Sequence, residues 1–313
     1  MRMIPQIKST VGFIYADYGD HYQPLGTGFF AWVREDERRF IYLITCKHVV
    51  AEEIDEKTPL YVRLNRPDEI DVGFTPLKNE WDYHSDNAVD LAVTLFERNP
   101  DVPCESEPVD IEYVFMPDNP LLYIFEGFDV AFVGLLTSIP GKHRNTPVYR
   151  YGHIAMMLDQ KLKGAYGDAV YMLIECVAYK GNSGSPLWIA YPTPTKEQPD
   201  NFTIFIVGVM TETYLKEEID SVGYGRTAYH SGLSKAIPIN FARDILLGDK
   251  LMDDRKKRVA KYKSPDDESI PISNHPIKVE GDPFERQDFL DALDKASRPI
   301  RKKRGKGKSE TSE

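Results

Sequence analysis

The sequence predicts an all-β body followed by a charged C-terminal extension, and three observations carry that prediction. Short β-rich runs recur along most of the chain, separated by Gly, Pro and Asp turns. Two apolar runs, Gly26 to Val33 and Ile41 to Val50, flank the charged segment Arg34 to Arg39, the pattern of a hairpin. The 313 residues are 42% hydrophobic and 12% aromatic, ample for a large core.

Taken in order, Gly26-Thr27-Gly28-Phe29-Phe30-Ala31-Trp32-Val33 is the first strand of that hairpin. Its partner Ile41-Tyr42-Leu43-Ile44-Thr45 is a buried apolar strand that runs into a short turn carrying His48. Trp81 to Asp86 reads as a polar loop ahead of the strand Asn87 to Leu95, and Asp90 stands at that strand's mouth. An unpaired carboxylate there would be costly to bury, so Asp90 needs a partner. The segment 98–170, aromatic and Pro-rich in places, fits a lid, an interface or a connection equally well. Gly181-Asn182-Ser183-Gly184-Ser185-Pro186 is a tight turn: two glycines relax the backbone and Pro186 ends the ladder. The strand Ile204 to Thr211 and the run Gly232 to Ile239 follow. Each piece has a plain reading, His48 as a satisfied core histidine, Asp90 as a strand-start cap, Ser183 as a residue of a glycine-rich turn. Their coincidence in the order His, Asp, Ser is harder to explain that way.

That order and those contexts resemble the chymotrypsin-fold serine peptidases, and among them the HtrA-like, trypsin-like peptidase domains. The matching pieces are G-T-G-F-F at 26–30, T-C-K-H-V-V at 45–50, D-L-A-V at 90–93 and G-N-S-G-S-P at 181–186, with a weaker match over 232–239. The resemblance spans roughly residues 8–247. It implies two packed six-stranded antiparallel β-barrels with an active site in the cleft between them. It also implies roles. His48 takes the proton of Ser183 Oγ as it attacks a carbonyl, Asp90 fixes the imidazole tautomer, and the N–H groups of Gly181 and Ser183 face the developing oxyanion. Thr211 is expected to hydrogen-bond Asp90 or, with Val177, Glu212 and Thr213, to line the substrate pocket.

Two positions refine this expectation. Asn182 stands where zymogen-type members carry an aspartate that pairs with a newly cleaved N-terminus; an amide cannot make that ion pair, so no activation by N-terminal clipping is expected. Val177, six residues before Ser183, would floor the specificity pocket and favour a small or medium apolar side chain. Ser185 reads as structural. Cys46 lies two residues from His48, but C-x-H supplies too few ligands for zinc, so a buried free thiol is expected. His84 and Asp86 rank below His48 and Asp90 as catalytic candidates. No cofactor and no metal are expected.

Composition bounds the remainder. The N-terminus has no apolar segment of signal-peptide type and no run of about 20 apolar residues occurs. Cys46, Cys104 and Cys176 do not resemble a disulfide framework, so the expectation is a cytoplasmic protein. Net charge of −10 gives the main body no reason to bind nucleic acid. The expected division is a peptidase domain over 1–250 and a charged extension over 251–313, too short for a PDZ domain, helical at about 283–297 and ending in the basic run Arg301 to Lys308. Contact of that run with nucleic acid or an anionic membrane is the lesser expectation; the partners expected are a protein or peptide substrate and a regulatory protein. The reading is a serine endopeptidase. Its rivals are a protease-fold binding module and a latent peptidase that needs a partner to form its site.

Overall fold

The computed structural model describes residues 5–51, 54, 57–66, 72–98, 104–111, 124–192, 202–219 and 226–262. After a 3-10 turn at Pro5–Thr10 come β1 (Val11–Asp17), β2 (Tyr22–Glu35) and β3 (Arg38–Thr45), then the short helix α1 (Lys47–Ala51). β4 (Leu60–Asn65), β5 (Val72–Pro76), β6 (Asp82–Tyr83), β7 (Ala92–Leu95) and β8 (Val109–Asp110) complete the first half. They form one sheet in the order β5-β4-β1-β2-β3-β7-β6, with β8 added parallel to β2. The expected hairpin turns at Asp36, which takes a left-handed φ of 53° between paired Glu35 and Arg38.

The second half contains β9 (Asp129–Gly134), β10 (Val148–Gly164), β11 (Gly167–Glu175), β12 (Pro186–Pro192), β13 (Phe202–Ile219) and β14 (Arg226–Pro238). These six close into a barrel in the order β10-β11-β14-β13-β12-β9. Closure removes the sheet edges, and alternation sends Val130, Phe132, Ile174, Leu187 and Ile189 into its core. The expected all-β class with two antiparallel sheet systems is therefore what the chain adopts. The halves differ in one respect: the second is a closed six-stranded barrel, whereas the first is an eight-stranded sheet whose path of seven strands is not closed, with β8 beside β2. Among the described residues of segment 98–170 are the barrel strands β9 and β10 and the start of β11.

Two helices follow, α2 (Asn240–Leu247) and α3 (Asp249–Tyr262). α2 buries Ala242, Ile245 and Leu246 and presents Phe241 edge-on to His84. α3 is charged overall, yet Arg255 is only 2% exposed. Its guanidinium donates to the Leu246 carbonyl (2.8 Å) and Tyr42 hydroxyl (3.3 Å) and pairs with Glu35 (3.3 Å). The compact body thus runs past the expected boundary at 250 to the end of α3. The helix expected over 283–297 and the basic run lie outside the described residues.

Candidate active site

His48 is presented by α1 directly after β3, and Asp90 by the turn before β7, which pairs with β3. Strand pairing therefore carries the two side chains to one spot although 42 residues separate them. Asp90 is 2% exposed and grips His48 twice: Oδ2 lies 2.6 Å from Nδ1 and Oδ1 accepts the backbone N–H at 2.9 Å. The second bond fixes the carboxylate plane, so the first fixes the ring. With Nδ1 committed to Asp90 as donor, Nε2 is left as the basic nitrogen. The carboxylate that would be costly to bury alone has two donors.

Ser183 comes from the turn between β11 and β12, on the other half of the molecule. Gly181 and Gly184 hold φ of 98° and 85°, conformations that L side chains rarely adopt. A Cβ on Gly184 would stand 1.9 Å from the Thr27 carbonyl oxygen, so that glycine is also required by close approach. The N–H groups of Asn182, Gly184 and Ser185 are spent on the carbonyls of Tyr179, Met210 and Asn182. Among the described residues no backbone acceptor takes the N–H of Gly181 or Ser183. Those are the two donors an oxyanion would need. Ser183 Oγ donates to the Thr211 carbonyl at 2.6 Å. That bond engages the hydroxyl's single proton.

Asn182 is 1% exposed and both of its polar side-chain atoms are bonded. Its Nδ2 donates to the Leu135 carbonyl (2.7 Å) and its Oδ1 accepts the Tyr179 N–H (2.8 Å). A neutral amide thus holds the turn, and no ammonium partner is needed. Ser185 is buried against Gly134, in agreement with a packing role.

The expected pocket residues meet in part. Thr213 Oγ1 donates to the Ala178 carbonyl (3.1 Å), and Ser234 Oγ bonds the Ala178 N–H and the Cys176 carbonyl, so 176–178 lies against β13 and β14. Val177 is 38% exposed, an open shelf rather than an enclosed floor. Glu212 turns to Lys235, 2.7 Å away, whose ammonium also donates to the Lys163 carbonyl and sits over the rings of Tyr171 and Tyr214. Thr211 does not bond Asp90: its hydroxyl faces the Lys235 carbonyl at 3.4 Å. The cause is a bulge in β13, where the register to β14 shifts between Met210 and Thr213. The rivals have structural work. Asp86 accepts the Ala88 N–H and pairs with Lys161, and His84 accepts the Asp86 N–H.

Cys46, His48 and Asp90 place possible ligand atoms within 4.8 Å of one another, a third ligand that the C-x-H spacing does not reveal. The cysteine is fully buried and donates to the Met210 carbonyl at 3.2 Å. Burial, reinforced by the Asp90 charge, pushes its thiol well above the usual range. A neutral thiol is a poor metal ligand, and the His48–Asp90 contact is already satisfied as a hydrogen bond. Burial first, then the charges of Glu212 and Asp90, also pushes the Tyr171 hydroxyl upward.

Residues missed by sequence reasoning are Thr27 and Thr45. The only signal available was a threonine flanked by Gly26 and Gly28, where added Cβ atoms would meet Val49 at 2.8 Å and Leu43 at 2.6 Å. That signal says the strand is closely approached, not by what.

An all-β body of two antiparallel sheet systems, with a His–Asp pair on one and a glycine-bounded serine on the other, defines the class. No protein family's profile matches the chain, and no curated protein sequence matches it. The chain is similar to the MamO protease domain from Magnetospirillum magneticum (apo form), with 13% identity, TM-score 0.48, and coverage of 77% of this chain and 98% of that one. It is also similar to the Rv3671c protease in its inactive form, with 17% identity, TM-score 0.42, and coverage of 77% and 91%. A mutant of Rv3671c from M. tuberculosis, also inactive, shares 18% identity at TM-score 0.41, with coverage of 77% and 89%. The architecture described above rests on its own strand pairing.

Proposed function

We propose that the protein is a serine endopeptidase that cleaves peptide bonds through an acyl-enzyme at Ser183. The observation that carries the reading is the double grip of Asp90 on His48, which leaves Nε2 as the basic nitrogen; the Gly181 and Ser183 N–H groups, with no backbone acceptor among the described residues, support it. In the reaction, Ser183 Oγ attacks the carbonyl carbon while its proton passes to His48 Nε2. The carbonyl oxygen becomes an anion facing the two N–H groups. The C–N bond then breaks as His48 returns the proton to the leaving amine. Water repeats the cycle, with His48 as base, and frees the acid. A small or medium apolar side chain stays the expectation at the cleavage site, since Val177 offers no charge to a Lys or Arg.

The hydrogen bond from Ser183 Oγ to the Thr211 carbonyl favours a second reading, a peptidase latent until substrate or a protein partner turns the hydroxyl toward His48. A fluorophosphonate probe tests both. Single labelling at Ser183, absent in Ser183→Ala, supports the enzyme. Labelling only with added peptide or partner supports latency. A folded protein that never labels is a binding module.

A further inference from the structure

We infer that Thr27, on β2 of the first sheet, is a positioning residue that sets the oxyanion turn of the opposite barrel; this rests on the serine-peptidase reading above. Four hydrogen bonds converge on this one fully buried residue. Its N–H donates to the Ser183 carbonyl at 2.9 Å, and its carbonyl accepts the Thr45 hydroxyl at 2.7 Å. Its own hydroxyl donates to the Gly181 carbonyl at 2.7 Å and accepts the Leu135 N–H at 2.8 Å. Thr27 therefore holds the carbonyls of both residues whose N–H groups are expected to face the oxyanion.

The geometry gives the hydroxyl a particular task. Gly181 is free to rotate, since glycine tolerates either sign of φ. Its own N–H belongs to the 180–181 peptide, whose carbonyl accepts from the Thr137 hydroxyl at 3.1 Å, so what remains to be held is the 181–182 peptide that leads to the Ser183 N–H. Pulling the Gly181 carbonyl toward Thr27 fixes ψ of Gly181, and the Asn182 amide fixes the next residue by bonding the Leu135 carbonyl at 2.7 Å. Leu135 thus joins the two devices, its N–H on Thr27 and its C=O on Asn182. The Thr27 hydroxyl spends its single donor and one of its two lone pairs inside the protein. A methyl in place of the hydroxyl keeps the shape of the side chain and removes both contacts.

The experiment compares full-length wild type, Thr27→Ser, Thr27→Cys and Thr27→Val, with a fluorophosphonate probe and a p-nitrophenyl ester of an apolar acylamino acid. Burst amplitude counts competent sites, so rates are expressed per competent molecule. Thr27→Ser should stay within about threefold of wild type, whereas Thr27→Val should fall on the order of tenfold to hundredfold in kcat, with KM changed less than about twofold. Losing a donor's alignment acts on the transition state rather than on ground-state binding. A merely structural role would lower burst amplitude and leave kcat per competent site unchanged. That outcome, or Thr27→Val labelling at the wild-type rate, would overturn the inference. If Thr27→Val does not fold, Thr27→Cys, with its weak S–H donor, should be slower per site than Thr27→Ser; equality of the two overturns it. Absence of wild-type labelling would instead remove the peptidase reading itself.

Discussion

Replacing Asn182 by aspartate changes one atom of the side chain and reverses its meaning. The amide donates to the Leu135 carbonyl at 2.7 Å from a position only 1% exposed. An ionised carboxylate would aim a negative oxygen at that carbonyl, and no hydrogen bond from a cation to Asn182 occurs among the described residues. The lost bond and the orphaned carbonyl together cost about 2–3 kcal/mol, and an unpaired charge would add several more if it stayed ionised. The introduced carboxyl should therefore hold its proton and donate it to Leu135, with its folded pKa above the unfolded value of about 3.9. The sign follows from proton uptake. Such a group leaves stability intact below its unfolded pKa and subtracts roughly 1.4 kcal/mol per pH unit above it, until the folded pKa is passed. Asn182→Asp should thus match wild type near pH 4 and be weaker by about 4 kcal/mol at pH 7. For a body of this size that corresponds to a drop of roughly 8–16 °C in Tm. Urea titrations from pH 4 to 8 measure it. Equal midpoints for the two proteins at pH 7 would refute the assignment of Asn182 as the device that holds the turn.

Other expectations follow from the same geometry. Ser183→Ala should abolish labelling and turnover with Tm nearly unchanged, because the hydroxyl makes a single bond to Thr211; hydrolysis surviving in a clean preparation would exclude Ser183 as nucleophile. Asp90→Asn should lower the labelling rate by up to about 10⁴-fold, since an amide cannot accept from both His48 N–H groups and hold the same tautomer. Cys46, with its thiol pushed up by burial, should resist iodoacetamide in the native state at pH 8; because it stays protonated when folded, stability should decline as pH rises above the unfolded thiol value of about 8.5, and less steeply in Cys46→Ala. Arg255→Met should cost about 3–5 kcal/mol by urea melt, since Glu35 and the Leu246 carbonyl lose their buried partner.

The sequence disclosed those features whose cause is local. The β2–β3 hairpin was legible because charged residues interrupt two apolar runs, and the His48, Asp90 and Ser183 contexts because each has a characteristic neighbourhood. Features made by long-range contact were not. Thr27 reads as an ordinary strand former, since its partners Gly181 and Leu135 lie 154 and 108 residues away. The β13 bulge that turns Thr211 from Asp90 leaves no mark in a run of β-formers. Arg255 sits inside Asp253-Asp254-Arg255-Lys256-Lys257-Arg258, which looks wholly solvated; only a helix, by burying one position in that run, separates it from its neighbours.

The anchoring of α3 has a consequence for how the molecule is made. Arg255 fastens a helix near the end of the compact body to Tyr42 and Glu35, strand residues synthesised more than 200 positions earlier. The first sheet therefore emerges from the ribosome well before its last stabilising piece exists. At about 5–20 residues per second it waits on the order of 10–40 seconds for that clasp. A nascent chain stalled before α3 would carry Tyr42 and Glu35 without the guanidinium that fastens them. Protease resistance of the first sheet should accordingly rise late, as translation passes the end of α3.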